Sequence, residues 1–150
     1  MGETSAEQLY YEILMIEDNP GDVRLVMEVL RETRMNRNIS VVCNGDEALN
    51  FLRKKGKYKN APHPHFILLD INLPKKSGHE VLKELKQDKH LKHIPVIVLT
   101  SSRSDDDILK AYNLHANCYI TKPGDFEEFL NVIRSIEDFW LNTVKLPPRQ

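Results

Sequence analysis

Residues 66–74 read FILLDINLP, an apolar run that ends in an acid and is closed by a proline. Four consecutive apolar residues are typical of a strand buried on both faces, and Pro74 stops that strand from continuing. Asp70 is therefore predicted to lie at the carboxyl end of a buried strand. Because open parallel sheets bind their ligands in the crevice outside those ends, Asp70 is the candidate reactive group.

Length and composition limit the class of molecule. The chain has 150 residues, of which 41% are hydrophobic and 29% charged, with a formal net charge of -1. These values predict one globular domain, and the near-neutral charge gives no support for nucleic-acid binding. We expect a loose N-terminal arm over 1–12, the domain over 13–144 and a tail over 145–150. The arm resembles neither a signal peptide nor a membrane span, so we expect a cytoplasmic protein with no membrane partner.

Three further apolar runs and one short β-branched segment predict the other strands of a sheet. They are Ile13–Ile16, Asn38–Cys43, Pro95–Thr100 and Cys118–Thr121. Each strand is followed by a helix-capping residue, which is Asn19, Asn44, Ser77, Ser104 or Asp125, and then by an apolar stripe at helical spacing. Alternating strands and helices imply parallel pairing, right-handed crossovers and helices on both faces of the sheet. The predicted class is α/β, with a flavodoxin-like (βα)5 fold and the strand order 2-1-3-4-5.

That strand order places the first and third strands side by side, which brings three acids together. Glu17 and Asp18 follow the first strand, and Asp70 follows the third. Crowded carboxylates raise one another's pKa unless a cation lies between them, and Mg²⁺ suits such a site because it takes few carboxylates and keeps waters. Thr100 could donate a hydrogen bond to a phosphoryl oxygen, and Lys122 could contact it as a point charge. Carboxylate, metal, hydroxyl and ammonium together predict a phosphoryl acceptor.

With these positions filled, residues 13–136 resemble the receiver domains of two-component response regulators, including the single-domain chemotaxis regulator. Pro74 and Gly78 match the turn that follows the acceptor in that family, and Lys122 with Pro123 matches its lysine–proline pair. The resemblance implies a phosphoacceptor, a switch hydroxyl, a phosphate-binding lysine and an aromatic switch residue, which are Asp70, Thr100, Lys122 and Tyr119. It also implies Mg²⁺ as the cofactor, with the ligands Glu17, Asp18, Asp70 and Asn72.

The same resemblance implies a function. The chain would accept a phosphoryl group from the phosphohistidine of a sensor histidine kinase and switch a protein-interaction surface. It would assist its own phosphorylation and dephosphorylation without being an enzyme in the turnover sense. Pro20–Asp22 and Phe139–Leu141, with Leu146 and Pro147, are similar to the stand-alone regulators that accompany bacterial phytochrome kinases, so we expect a phytochrome-like kinase as the partner.

Two expectations concern the turns on either side of the fifth strand. We expect a cis peptide bond between Lys122 and Pro123, because the resemblance implies one and because the chain must turn sharply to aim the lysine at Asp70. His115 occupies a position where the family usually has glycine. A left-handed residue that ends a helix is costlier without glycine, so this corner is expected to differ.

Three other classes share parts of this pattern. A flavin-binding flavodoxin has the same strand order, but it needs a phosphate loop rich in Ser, Thr and Gly where this chain has Glu17–Pro20. A haloacid-dehalogenase-type phosphatase also forms an aspartyl phosphate, but it would have a general acid two residues after the nucleophile, where this chain has Asn72. A scaffold that keeps the fold without phosphorylation is disfavoured because the three acids are intact.

The last helix and the tail predict a homodimer. A stripe of five residues is expected to pack on the sheet, namely Phe126, Phe129, Leu130, Ile133 and Trp140. Four others lie partly off that stripe and make the final turns too apolar for an isolated domain, namely Val132, Ile136, Phe139 and Leu141. We expect a second copy of the chain to cover them. The alternative is that residues 144–148 fold back over their own domain.

Overall fold

Five parallel strands form one sheet, and their positions are close to the predicted ones. The strands are β1 (Tyr11–Ile16), β2 (Arg37–Val42), β3 (Phe66–Leu69), β4 (Val96–Thr100) and β5 (Cys118–Thr121). Their order is β2-β1-β3-β4-β5, so the predicted flavodoxin-like order is confirmed. This computed structural model describes residues 10–32 and 37–148.

The α-helices follow the strands in alternation. They are α1 (Pro20–Arg31), α2 (Gly45–Leu52), α3 (Gly78–Gln87), α4 (Asp105–Asn113) and α5 (Phe126–Glu137), and a π-helical segment (Asp138–Thr143) continues α5. Each α-helix begins at its predicted cap, because the side chain of Asn19, Asn44, Ser77, Ser104 or Asp125 accepts the backbone N–H three residues on. The caps pair donors that a helix would otherwise leave unbonded. Among the described residues, no helix is long and apolar enough to cross a membrane.

The sheet separates two hydrophobic cores, and β3 contributes to both. Ile67 and Leu69 belong to the core beneath α2, α3 and α4, whereas Phe66 and Leu68 belong to the core beneath α1 and α5. All four side chains are at most 3% exposed. The strand is therefore buried on both faces, as its apolar run predicted, and Asp70 follows directly where it ends.

The first strand begins two residues earlier than the sequence predicted. Tyr11 and Glu12, which were assigned to the N-terminal arm, belong to β1. Glu12 is buried, and its carboxylate accepts a hydrogen bond from the Asn38 side chain at 3.1 Å. Tyr11 pairs with Arg37, which also shifts β2 by one residue. Residues 1–9 of the arm and 149–150 of the tail lie outside the described residues.

The apolar faces of the last helix differ from the predicted ones. Phe126 was expected to pack on the sheet, but it is 56% exposed and lines a surface cavity beside Lys122. Ile136 and Leu141 were expected to lie off the packing stripe, but both are buried. The π-helical segment has wider turns than an α-helix, so the residues that follow α5 are rotated, with Leu141 toward the core and Phe139 outward.

The corner at His115 keeps the geometry that glycine usually provides. His115 has a φ of 74°, in the left-handed region. Its N–H bonds to the carbonyl of Tyr112 at 2.9 Å, and the N–H of Ala116 bonds to the carbonyl of Ala111 at 3.0 Å. These two bonds form a Schellman motif that ends α4, so the expectation of a different backbone at this corner was wrong. The motif holds His115 in a backbone conformation that glycine adopts more readily.

His115→Gly should therefore stabilise the protein by about 1 kcal/mol, because the left-handed conformation costs a non-glycine residue about 1–2 kcal/mol and the added freedom of the unfolded chain cancels part of the gain. His115 is exposed, so little packing is lost. Urea unfolding would measure the change. The control is Lys110→Gly, also exposed in α4, which should destabilise the protein by a similar amount. A His115→Gly protein no more stable than the wild type would contradict this account.

Candidate functional site

Three carboxylates meet where the central strands end. Glu17 and Asp18 follow β1, and Asp70 follows β3, whose pairing with β1 places Ile16 beside Leu69. The ligand oxygens of the three carboxylates all lie within 4.8 Å of one another. Glu17 and Asp70 are buried, and Asp18 is exposed. The predicted acids are therefore brought together at one edge of the sheet.

Asp70 accepts hydrogen bonds from three different segments. Thr100 Oγ1 donates to Asp70 Oδ1 at 2.7 Å, the backbone N–H of Asn72 donates to the same oxygen at 3.0 Å, and Lys122 Nζ donates to Oδ2 at 2.9 Å. Burial would raise the pKa of Asp70, but these donors outweigh burial and hold the pKa below its ordinary value. The carboxylate is thus ionised and oriented, as a nucleophile must be.

Lys122 lies among the acids. Its Nζ donates to Glu17 Oε1 at 2.7 Å, to Asp22 Oδ2 at 2.7 Å and to Asp70 Oδ2 at 2.9 Å. Burial would lower the pKa of the Lys122 ammonium, but the three carboxylates raise it above its ordinary value. The lysine therefore remains charged and offsets part of the repulsion between the acids.

The peptide bond between Lys122 and Pro123 is trans, so the expectation of a cis bond was wrong. Hydrogen bonding between β4 and β5 extends to Lys122, whose backbone N–H donates to the carbonyl of Thr100 at 2.8 Å. From that position the long side chain reaches Asp70 without a reversal of the backbone. Strand pairing and side-chain length thus aim the lysine.

Glu17 is the acid of the site whose ionisation is most disfavoured by burial. Burial raises the pKa of Glu17 to about 7; the Lys122 hydrogen bond opposes this rise and the charge of Asp70 adds to it. A divalent cation would offset the remaining repulsion. The carboxylate oxygens suit one, because the ligands of an octahedral Mg²⁺ at about 2.1 Å lie roughly 3–4 Å apart. Asn72 is adjacent, with its Nδ2 3.5 Å from Thr100 Oγ1, and its role as a ligand stays a prediction.

Tyr119 is linked to the segment that follows Thr100. Its hydroxyl donates to the carbonyl of Ser102 at 3.0 Å, and its backbone N–H donates to the hydroxyl of Tyr112 at 3.1 Å. Burial raises the pKa of the Tyr119 phenol, so the hydroxyl stays protonated and remains a donor. Tyr119 is thus bonded two residues away from the hydroxyl that contacts Asp70.

The comparisons with known proteins agree with this site. The response regulator receiver domain family matches residues 13–134. The chain belongs to this family. It is 47% identical over 135 residues to response regulator Rcp1 of Synechocystis sp.. These aligned residues cover 90% of this chain and 92% of Rcp1.

Two solved structures extend that likeness to the fold. The Mn²⁺-bound form of Rcp1 has a TM-score of 0.90 at 46% identity. The superposed residues cover 92% of this chain and 99% of the Rcp1 chain. The phosphorylated cyanobacterial phytochrome response regulator RcpA has a TM-score of 0.91 at 46% identity, with coverages of 93% and 100%. This receiver domain is therefore homologous to the phosphorylated response regulators of phytochrome two-component systems. It is a signalling domain, which excludes the flavodoxin and phosphatase alternatives.

Gly78 closes the receiver site behind Asp70. Its N–H donates to the carbonyl of Ile71 at 3.0 Å. A β-carbon on Gly78 would lie 2.4 Å from Ile71 Cα and 2.6 Å from the backbone oxygen of Asp70, well inside van der Waals contact. The first residue of α3 therefore packs directly on the backbone that carries the acid.

Asp22 belongs to the site, although the sequence did not predict it there. It was named only within the stretch Pro20–Asp22, at the start of the predicted helix, where an acid favours the helix N-terminus. In the structure Asp22 also contacts Lys122. A signal was present, because α1 begins at Pro20, directly after the acids that follow β1, and helical side chains point back toward the N-terminus.

Proposed function

We propose that Asp70 accepts a phosphoryl group from the phosphohistidine of a sensor histidine kinase and that phosphorylation switches a protein-interaction surface. The observation that carries this proposal is the Asp70 carboxylate, held between Thr100 and Lys122 beside two further acids. An oxygen of Asp70 would attack phosphorus, and the bond from phosphorus to the imidazole nitrogen would break. The imidazole would leave with the electron pair and take up a proton, so Asp70 would hold an acyl phosphate.

Each neighbour of Asp70 has a role in this transfer. Lys122 would contact a phosphoryl oxygen and neutralise its charge, and Thr100 would donate a hydrogen bond to another. Glu17, Asp18, Asp70 and Asn72 would hold Mg²⁺, which supplies further charge neutralisation. With its own residues making these contacts, the domain assists both its phosphorylation and its dephosphorylation. Movement of Thr100 toward the phosphoryl group would pass to Tyr119 through the segment that holds Ser102.

Asp18→Asn tests the role of the metal. It should weaken Mg²⁺ binding about tenfold or more and slow phosphorylation by acetyl phosphate together, because Asp18 is one of the three clustered carboxylates that would hold the cation. Calorimetric titration with Mg²⁺ and phosphorylation time courses would measure both effects. The control is Asp46→Asn, an exposed acid in the first turn of α2, which should change neither. Full phosphorylation of the wild type in excess chelator would exclude the metal role.

We further propose a phytochrome-like histidine kinase as the phosphoryl donor. The support is the likeness along nearly the whole chain to Rcp1 and to the phytochrome response regulator RcpA. Histidine kinases draw their phosphoryl groups from ATP, so we place the exchange in the cytoplasm. Labelled ATP mixed with candidate kinases and this protein would identify the donor by rapid transfer of the label to Asp70.

A second copy of the chain is the proposed partner of the groove between β5 and α5. This groove has a volume of about 610 Å³ and is lined mainly by apolar side chains, including Ile120, Val132 and Phe139. Phe139 is 49% exposed although it is aromatic and lies next to the buried Leu141. Leu146 of the tail packs partly against its own core, so the fold-back alternative accounts for part of the tail but leaves Phe139 uncovered.

Phe139→Ala should weaken the dimer about tenfold or more, because large aromatic side chains at the centre of an interface carry much of its energy. Analytical ultracentrifugation over a concentration series would measure the dissociation constant. Phe126→Ala is the matched control, since Phe126 is exposed to a similar extent but lines a different cavity, and it should leave the constant unchanged. Wild-type protein that stays monomeric at high micromolar concentration, with and without beryllofluoride, would exclude the dimer.

A further inference from the structure

Asp22 is the one carboxylate in contact with Lys122 that lies outside the three-acid cluster. Lys122 Nζ has three N–H donors, and its three carboxylate contacts are Glu17, Asp22 and Asp70. Glu17 and Asp70 belong to the cluster that could hold a metal ion, together with Asp18, whereas Asp22 does not. The lysine is therefore shared between the phosphoacceptor site and the first turn of α1.

The position of Asp22 is fixed by its own helix. Its backbone N–H is bonded to the Asn19 side chain at 3.1 Å, and Pro20 sets the backbone at the start of α1. The Asp22 side chain is 19% exposed, so most of it is shielded from water. An acid at this position would favour the helix N-terminus wherever its side chain pointed. Contact at 2.7 Å with a 6% exposed ammonium on another strand is an additional and specific interaction.

The inference that follows rests on the proposed function. In that reaction a metal and a phosphoryl group would compete with Lys122 for two of its three partners. Glu17 would be drawn to the metal, and the Asp70 oxygen would become part of the acyl phosphate. Asp22 alone would keep its contact. We infer that Asp22 is a positioning residue that anchors the Lys122 ammonium from α1, holding it over Asp70 while the other two carboxylates change partners.

The test compares Asp22→Asn with Asp22→Glu and with the Asp46→Asn control. Asp22→Asn keeps the shape and the helix cap but removes the charge, so phosphorylation by acetyl phosphate at saturating Mg²⁺ should slow about tenfold. Asp22→Glu restores the charge and should recover part of the rate. Mg²⁺ affinity should stay within about twofold of the wild type, because Asp22 is not a ligand. Asp46 has no contact with Lys122, and its variant should keep the wild-type rate.

A second measurement does not depend on phosphorylation. In ¹H–¹⁵N spectra of the lysine side chains, with the signal assigned by Lys122→Arg, hydrogen exchange of the Lys122 ammonium should be at least tenfold faster in Asp22→Asn than in the wild type. Unchanged exchange and an unchanged phosphorylation rate would overturn the inference. A rate loss matched by an equal loss of Mg²⁺ affinity would also overturn it, because Asp22 would then act through the metal. If the wild type took up no phosphoryl group, the proposed function would fail, and the exchange measurement would still decide the anchoring role.

Discussion

Asp70→Asn should abolish phosphorylation by acetyl phosphate while leaving the fold intact. Asparagine keeps the shape of aspartate, and its carbonyl can still accept the hydrogen bond from Thr100, but it has no carboxylate to attack phosphorus. Intact-protein mass spectrometry would show the loss of the phosphorylated species, and circular dichroism would show the spectrum of the folded wild type. Because the reaction at Asp70 is the central step, the effect should be the largest of any substitution that preserves the structure.

The control for this variant is Asp106→Asn, at an exposed acid in the first turn of α4. It should be phosphorylated as the wild type is. A hydroxylamine-sensitive acyl phosphate on the Asp70→Asn protein would mean that another acid is the acceptor, and Asp70 would then be reassigned to a structural or metal-binding role.

Lys122→Ala should destabilise the metal-free protein by about 3 kcal/mol or more, since removal of one partner of a buried ion pair leaves the remaining charges uncompensated. Here the remaining charges are three carboxylates around a side chain that is 6% exposed. The same variant should be phosphorylated far more slowly, because no ammonium would contact the phosphoryl group. Urea unfolding in chelator would measure the loss of stability, and unfolding in Mg²⁺ should show part of it restored.

The direction of the pH dependence distinguishes charge from packing in this variant. The pKa of Glu17 is already about 7 with the lysine present, and removal of the ammonium would raise it further. Glu17 of the folded variant therefore takes up a proton above pH 7, where the wild-type carboxylate is still ionised, so the stability deficit of the variant should shrink as the pH falls toward about 7. Lys110→Ala, at an exposed lysine of α4, should cost little at any pH. A Lys122→Ala deficit that does not vary with pH would show that lost packing, not charge, is responsible.

Local signals in the sequence predicted the helix starts and the strand order well. Asn19 and Ser77 cap their helices as expected, because capping involves only residues three apart in the chain. The run 66–69 identified the central strand, since burial on both faces allows no polar residue. The candidate residues Asp70, Thr100 and Lys122 were found because each lies at or just after the end of a strand, and parallel strands end at the same edge.

Other features depend on contacts that no local pattern contains. The contact between Asp22 and Lys122 joins residues 100 positions apart, and it requires knowledge of where α1 lies relative to β5. The face of Leu141 was misassigned because the helical period changes after Glu137, and a 3.6-residue repeat cannot show that change. Glu12 was excluded from β1 because it is charged, although the Asn38 side chain satisfies it.

Gly78 also constrains how this sequence can change over generations. Any side chain at that position would collide with the backbone at Asp70 and Ile71, at separations of 2.4 to 2.6 Å. No alternative residue is therefore neutral there, and no path of single substitutions passes through another amino acid at position 78 without displacing the reactive acid. Any requirement to keep the reactive acid in place is therefore also a requirement for glycine at position 78, whereas a changed side chain at an exposed position of α3 meets no such collision.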